Sequence, residues 1–385
     1  MTSASSPNSL TITQAFAAED TQSRKLRVVF CWPEVSGYIA ACWRALMAVP
    51  GLEISIIAHQ SGVSGSLSAF NQNVVASLPC RLLDVKERLD AKLIAELVIE
   101  RNPDVIVLPG WGIAAYRQLI VANGLSDRRF VMFMDTPFKN TLRQKLGRLK
   151  HGNYIDRMDA VMVAGERSWQ FARRLLKVPE QKLHRGMNGI DYDAFASAMP
   201  KRMSDATGWP RHFLYMGRFA QVKGLDVLAD AYAQYRSNVD NPWPLTCHGN
   251  GPLANLLNGA GIINGGFLQP SEQPDAMRRF GVLVLPSTYE PWGQVLVEAA
   301  AAGMPVICTE ACGASPEVVK SYYNGLVVPT SDVAALAAAL QWMHVHYEEL
   351  PTMGQRGQGI AAAYSAQMWA KRWAAMFYAA ARRQS

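Results

Sequence analysis

The sequence has no CxxC pair and no Cys/His set at zinc-ligand spacing. Its cysteines, Cys31, Cys42, Cys80, Cys247, Cys308 and Cys312, read as reduced thiols of a cytoplasmic protein, so neither a disulfide scaffold nor a zinc module fits. His344 and His346 do not share a helix face and make a poor metal pair. Also missing is any run of about 18 uncharged apolar residues, which speaks against a membrane-spanning helix. The opening MTSASSPNSLTITQAFAAED has neither a basic start nor a long apolar stretch. It makes a poor signal peptide, and residues 1–23 are expected to form a disordered tail. There is no internal repeat and no low-complexity block. With 49% apolar and 18% charged residues, the chain is not of the intrinsically disordered class.

What is present suits two domains, since 385 residues can bury two cores. The net charge of +7 is unevenly spread. Residues 128–185 hold 14 Lys/Arg against 5 Asp/Glu, or +9, while residues 201–385 hold 14 against 13. A local surplus of this size implies an anionic partner for the first half.

Apolar, β-rich runs alternate with helical patterns, which argues for parallel sheets with crossover helices. LRVVFCW, LEISIIAH, DVIVLPG and RRFVMFMD read as strands of a first unit. RHFLYMG, WPLTCHG, GIING, GVLVLPS and MPVICTE read as strands of a second. Two doubly wound Rossmann-like domains facing a cleft are expected. The first covers 24–197 plus 365–385, and the second covers 211–364. The Pro- and Lys/Arg-bearing stretch 198–210 is a linker. The tail SAQMWAKRWAAMFYAAARR is amphipathic through Met368, Trp369, Trp373 and Phe377, and is expected to cross back to the first domain.

The stretch TYEPWGQVLVEAAAAGMPV concentrates the chemistry. Pro291 and Gly293 mark a turn before a strong helix former. Glu290 then sits at the mouth and Glu298 about two turns inside. Gln294, Val295 and Leu296 offer backbone N–H groups at a helix start, which suits phosphate. The span fits a ligand with hydroxyl-rich ends and an anion between them, as in a nucleotide-sugar; the plain alternative is a helix with a solvent-facing Glu. Arg218 and Lys223, in GRFAQVKG after a strand, can hold a diphosphate and offset the two carboxylates. HGNGPL follows another strand end, where Gly249, Asn250 and Gly251 let backbone approach a ligand. All three segments lie at carboxyl ends of parallel strands, where open α/β sheets bind ligands.

GRFAQVKG, HGNGPL, the E-x7-E pair Glu290/Glu298, AAGMPVI, GASPEVV and NGLVVP, in that order over roughly 210–345, resemble the retaining glycosyltransferases of family 4, which have the GT-B fold. RNPDVIVLPGWG and MNGIDYDAF extend the likeness more loosely into the first half. The resemblance implies hexosyl transfer with retention from a UDP- or GDP-sugar to an acceptor hydroxyl, in glycolipid, envelope-polysaccharide or small-molecule glycoside synthesis. It gives Arg218 and Lys223 the donor diphosphate, Glu298 the ribose hydroxyls and Glu290 the sugar hydroxyls. Gly217 and the backbone of Trp292, Gly293, Gln294 and Val295 would meet phosphate and sugar, and Phe267 and Leu268 the nucleobase. Gly37 stands where the family has a Gly-Gly loop, and Asp135 where it commonly has an acceptor-side His. Neither cofactor nor metal is implied. The implied location is the cytoplasm, with a peripheral place on the inner face of a membrane left open.

Three segments point elsewhere. GWGIAA, with Gly110 and Gly112 and a later Asp127, is a weak dinucleotide fingerprint and supports an NAD-dependent oxidoreductase as a lesser alternative. Asp191 and Asp193 mimic a metal-binding DxD. KNTLRQKLGRLKH aligns Leu142, Leu146 and Leu149 beside Lys145, Arg148 and Lys150. The preferred reading packs the leucines on the first domain; the other lays the helix on an anionic membrane or an acidic acceptor. No nucleic-acid motif accompanies the charge. A non-catalytic nucleotide-sugar-binding protein is the alternative from a different class.

Overall fold

The computed structural model describes residues 24–35, 37–60, 75–204 and 208–382; the expected tail 1–23 lies outside them. The first sheet holds β1 (Leu26–Trp32), β2 (Leu52–His59), β3 (Cys80–Leu83), β4 (Val105–Pro109), β5 (Arg129–Met134), β6 (Ala160–Val163) and β7 (Leu183–Arg185). Its spatial order is β3-β2-β1-β4-β5-β6-β7, and every pair is parallel. The second holds β8 (Phe213–Met216), β9 (Leu245–His248), β10 (Ile262–Gly266), β11 (Val282–Leu285), β12 (Val306–Thr309) and β13 (Gly325–Val328). Its order is β10-β9-β8-β11-β12-β13, again all parallel. Both sheets reverse direction beside their first strand, between β1 and β4 and between β8 and β11. That reversal opens a crevice at the strand ends.

Burial follows the pleat. In β1, Val28, Phe30 and Trp32 face one apolar core, while Val29 and Cys31 face the other. The larger core runs without a break from the first sheet into the second. Strands β8, β11 and β12 are buried along their whole length, as sheets covered on both faces require.

The chain crosses between the domains twice. The helix Ala366–Arg382 lies on the helix Gly37–Met47. Trp373 and Phe377 bring their rings to 5.5 and 5.9 Å from Phe30, and the Trp369 indole N–H donates to Met187 O at 2.6 Å. At the boundary, Ile190 N–H donates to Tyr364 O at 2.9 Å, tying the outgoing and returning segments together. The stretch read as a linker is partly helical, Ala198–Met203. Its Arg202 is buried and donates to the carbonyls of Ala302, Gly303 and Met277 at 2.8–3.1 Å, so the segment is docked on the second domain.

The basic helix departs from the preferred reading. It spans Leu142–Asp156 with a kink at His151, and only Tyr154 and Ile155 are buried. The leucine stripe does not pack on the first domain: Leu142, Leu146 and Leu149 are exposed. Among the described residues, no helix is long and apolar enough to cross a membrane.

Candidate functional site

The site lies where β8 and β11 end. After β8 the chain turns through Gly217-Arg218-Phe219, and the loop following β9 lies against it. Gly217 N–H donates to His248 O at 3.0 Å and Phe219 N–H to Asn250 O at 2.7 Å. This backbone-to-backbone fit explains HGNG. Gly249 has φ 152°, and a Cβ there would stand 1.9 Å from Gly217 O. His248 is buried beneath the loop, its Nδ1 3.1 Å from Gly266 O, and packs rather than facing the cleft. Arg218 is exposed and in no ion pair among the described residues.

Lys223 forms an ion pair with Glu290, joining the loops after β8 and β11. The side chains are 14% and 12% exposed, so the pair is largely shielded from water. The Glu290–Gly293 loop is clamped from behind by GASPEVV. Gly313 N–H donates to Glu290 O at 2.9 Å and Ala314 N–H to Trp292 O at 2.7 Å. Gly293 then opens the helix Gln294–Ala301. One expectation needs correction: Leu296 N–H is not free, because it donates to Gly293 O at 2.9 Å. Glu298 is buried inside this helix, and its backbone carbonyl accepts Ala302 N–H at 2.8 Å. Burial pushes its carboxyl up to about 7.

The first domain supplies the facing wall. Asp135 follows β5. Burial raises its carboxyl, and the charge of Glu290 raises it further, so the two carboxylates feel one another across the cleft. Lys139 places its ammonium 4.1 Å above the Tyr289 ring. Gln294 donates from Nε2 to Gly189 O at 2.8 Å. The structure thus brings Lys223, Glu290, Asp135, Trp292, Gly293 and Gln294 together at the boundary. Val295 sits beside them in the first helical turn. Gly37 opens the helix behind β1. Phe267 and Leu268 are half-buried after the edge strand β10, where Leu268 packs on the core.

Sequence reasoning missed Glu317. Its carboxylate accepts the backbone N–H of Glu166 at 2.5 Å from the other domain, and burial is the main cause that raises its pKa. Its Oε2, together with Trp292 Nε1, Gln294 Oε1 and Asn188 Nδ2, is buried without a hydrogen-bond partner among the described residues. Glu317 lies in GASPEVV and Asn188 in MNGIDYDAF, so both motifs were in view but carried no assigned role.

The decoys resolve into structure. A Cβ on Gly112 would meet nothing within 4 Å and one on Gly110 only Phe133 O at 4.0 Å, so no packing within the protein requires either glycine. The helix after them has five residues, and Asp127 is 69% exposed beside Arg128. These features do not make a dinucleotide fingerprint. Asp191 caps the helix Tyr192–Ala196 through Ala194 N–H. Among the described residues, no cluster of three His, Cys, Asp or Glu could hold a metal.

Residues 204–359 match the family described as glycosyl transferases group 1. The D-rhamnosyltransferase WbpZ of Pseudomonas aeruginosa is 26% identical over 247 residues, covering 61% of this chain and 63% of that protein. An exopolysaccharide phosphotransferase of Streptomyces coelicolor is 27% identical over 231 residues, covering 57% of this chain and 23% of its own length. The chain thus spans less than two thirds of these relatives. Among solved structures, the Anabaena protein Alr3699/HepE, in complex with UDP, superposes with a TM-score of 0.69 at 17% identity, covering 92% of this chain and 100% of that one. The architecture is therefore the GT-B fold, and its second domain carries the group 1 glycosyl transferase pattern.

Proposed function

We propose that the protein is a retaining glycosyltransferase of family 4 that moves a hexose from a nucleoside-diphosphate sugar to an acceptor hydroxyl. The observation that carries this reading is the shielded Lys223–Glu290 pair at the strand ends of the second sheet, with buried Glu298 behind it. A diphosphate arriving in this part-dry cleft can compete for the Lys223 ammonium, with its own charge offsetting the loss of the Glu290 contact. Arg218 adds a second cation with no carboxylate to give up. Glu290, released from Lys223, accepts from sugar hydroxyls, and Glu298 accepts from the ribose. Asp135, with its raised carboxyl, lies on the acceptor side and can hold a proton near the donor sugar.

In this reading the protein's task is to stabilise the departing diphosphate and to hold the acceptor on the same face. The carboxylates are ligand holders, not the acid/base pair of glycoside hydrolysis. Phosphate stabilisation falls to side-chain cations and backbone, so no metal is required. The Anabaena neighbour has been solved with UDP and with UDP and glucose, and WbpZ is named a D-rhamnosyltransferase. Both support a nucleotide-sugar donor. The acceptor class, whether lipid-linked, saccharide or small molecule, is open in this reading, and the proposed place of action is the cytoplasm.

The test is calorimetric titration with UDP, GDP, ADP, dTDP and NAD, repeated on Glu298→Ala and Lys223→Ala. One nucleoside diphosphate should bind, and each substitution should weaken it about tenfold or more. Binding of NAD alone, or indifference to both substitutions, would remove the reading. Tight donor binding with no transfer or donor hydrolysis across an acceptor panel would favour the non-catalytic alternative.

A further inference from the structure

The helix Leu142–Asp156 turns its apolar side to water. Leu142, Leu146 and Leu149 are 72%, 52% and 86% exposed. Their i, i+4, i+7 spacing puts them on one face. Arg143, Lys145 and Lys150 flank that stripe, exposed and in no ion pair among the described residues. Arg148 differs: Asp156 holds it through two bonds at 2.8 and 2.9 Å. The helix is firmly built, with Thr141 accepting Gln144 N–H at its start and Tyr154 donating to Pro109 O at 2.8 Å near its end.

At the His151 kink the surface opens into a hollow of about 390 Å³ lined by Arg117, Lys150, His151, Leu149 and Ile120. Arg117 and Lys150 supply its charge, while burial and those two cations lower the His151 pKa and favour its neutral ring. Arg117 donates to Trp111 O at 2.8 Å, and the His151 ring stacks on Trp111 at 5.3 Å. Val121, next to Ile120, is 77% exposed. Apolar side chains and a hollow with two cations, roomy enough for a phosphate, therefore share one surface.

We propose that this face docks the first domain on an anionic lipid bilayer, with Leu142, Leu146 and Leu149 entering the interface and the Arg117–Lys150–His151 hollow taking a phospholipid headgroup phosphate. Cations on both flanks of an apolar stripe match the cross-section of a bilayer surface, where charge lies above hydrocarbon. A second copy of this chain would present the same cations and be repelled. A nucleic acid would leave the leucines without a partner. The helix starts beside the cleft: Asp135 and Lys139 precede it, and Lys139 already reaches Tyr289. Docking would hold the cleft mouth at the membrane, where a lipid-linked acceptor resides. That last step rests on the glycosyl-transfer reading; the docking does not.

The test is co-sedimentation of the full chain with phosphatidylcholine vesicles, with and without phosphatidylglycerol, alongside UDP and GDP titration of the same preparations. Binding is expected only with phosphatidylglycerol, weakening with salt. It should fall roughly tenfold or more in Leu146→Glu/Leu149→Glu and in Arg143→Glu/Lys145→Glu, and several-fold in Lys150→Glu. Nucleotide binding unchanged in the variants would show that they fold and that the cleft is independent of the surface. The inference is overturned by no vesicle binding, by equal binding to neutral vesicles, or by indifference to these substitutions. A wild-type dimer split by Leu149→Glu would assign the face to self-association instead. Binding of inorganic phosphate that Lys150→Glu abolishes, with vesicle binding unaffected by that substitution, would assign the hollow to a soluble anion instead. If vesicles bind but no nucleotide does, the docking stands and the transfer reading falls.

Discussion

The carboxylate of Glu317 reaches across the domain boundary to accept the backbone N–H of Glu166 at 2.5 Å. No side chain fits between them: a Cβ on Gly165 would stand 2.4 Å from the same oxygen and 2.7 Å from Trp292. The bond therefore fixes how near the helix Glu166–Arg174 stands to the Glu290–Gly293 loop. Glu317→Ala should cost about 1–3 kcal/mol, the range for leaving a buried backbone donor without its partner. Urea unfolding followed by Trp fluorescence measures it. Glu317→Gln, which keeps an acceptor, should cost less, and equal losses in the two variants would show that the bond contributes nothing.

Lys223→Ala leaves Glu290 as a shielded carboxylate with no cation. Transfer should slow by about 10²–10³, the usual loss for one charge stabiliser of a leaving group. Adding Glu290→Gln should then cost less than it does in wild type, because the two groups act as a pair. Initial rates of the four proteins give the coupling. Strict additivity would mean that the pair does not act as a unit.

Glu298 carries a pH dependence whose sign is fixed. Its carboxyl is raised from 4.5 to about 7. Between those values the folded chain holds a proton that the unfolded chain has released. Its contribution to stability therefore falls as pH rises through that window and is level above about 7. Glu298→Gln should lack this slope and gain up to about 3 kcal/mol on wild type at about pH 8. Nucleotide affinity should move the other way in wild type. In the proposed donor site an ionised Glu298 would accept ribose hydroxyls better, so binding should strengthen as pH rises through about 7 and release a proton. Calorimetry in two buffers of different ionisation enthalpy reads that proton, and a flat profile would remove Glu298 from the donor site.

Two glycines give opposite expectations. A Cβ on Gly313 would stand 1.8 Å from Pro291 O, so Gly313→Ala must displace the loop that carries Glu290. Nucleotide affinity and thermal stability should both drop. Gly112→Ala meets nothing within 4 Å and should be neutral, or stabilising by about 0.4–1 kcal/mol through the unfolded chain. Thermal melts with and without nucleotide compare the two. A loss of function in Gly112→Ala would reopen the oxidoreductase alternative.

The strands that frame the site were legible because buried parallel strands leave unbroken apolar runs, as VIVLP and VLVL do. Those that escaped are shorter or poorer in β-forming residues. AVMV is as short and as buried as VLVL but has an Ala and a Met where that run has two leucines, so its β signal is weaker, and LHR is a polar edge of three. The pairing of Lys223 with Glu290, 67 residues apart, rests on two strand ends becoming neighbours, which no local pattern encodes. Glu317 stayed silent for the same reason, since its partner is a backbone N–H in the other domain. The basic helix was legible as a helix and misread as packed. Periodicity tells which residues share a face, and says nothing of whether another surface meets it.

The bond between Ile190 and Tyr364 has a mechanical consequence. A single connecting strand would let two bodies swivel about many directions. Two strands laid side by side and laced by a backbone hydrogen bond act like a strap hinge. Such a lacing would resist twisting and sliding more than a single connection does, and any opening of the cleft would be steered towards one axis. Cutting the returning strand after Tyr364 would keep both bodies but turn the hinge into a tether, so productive encounters would become a matter of chance.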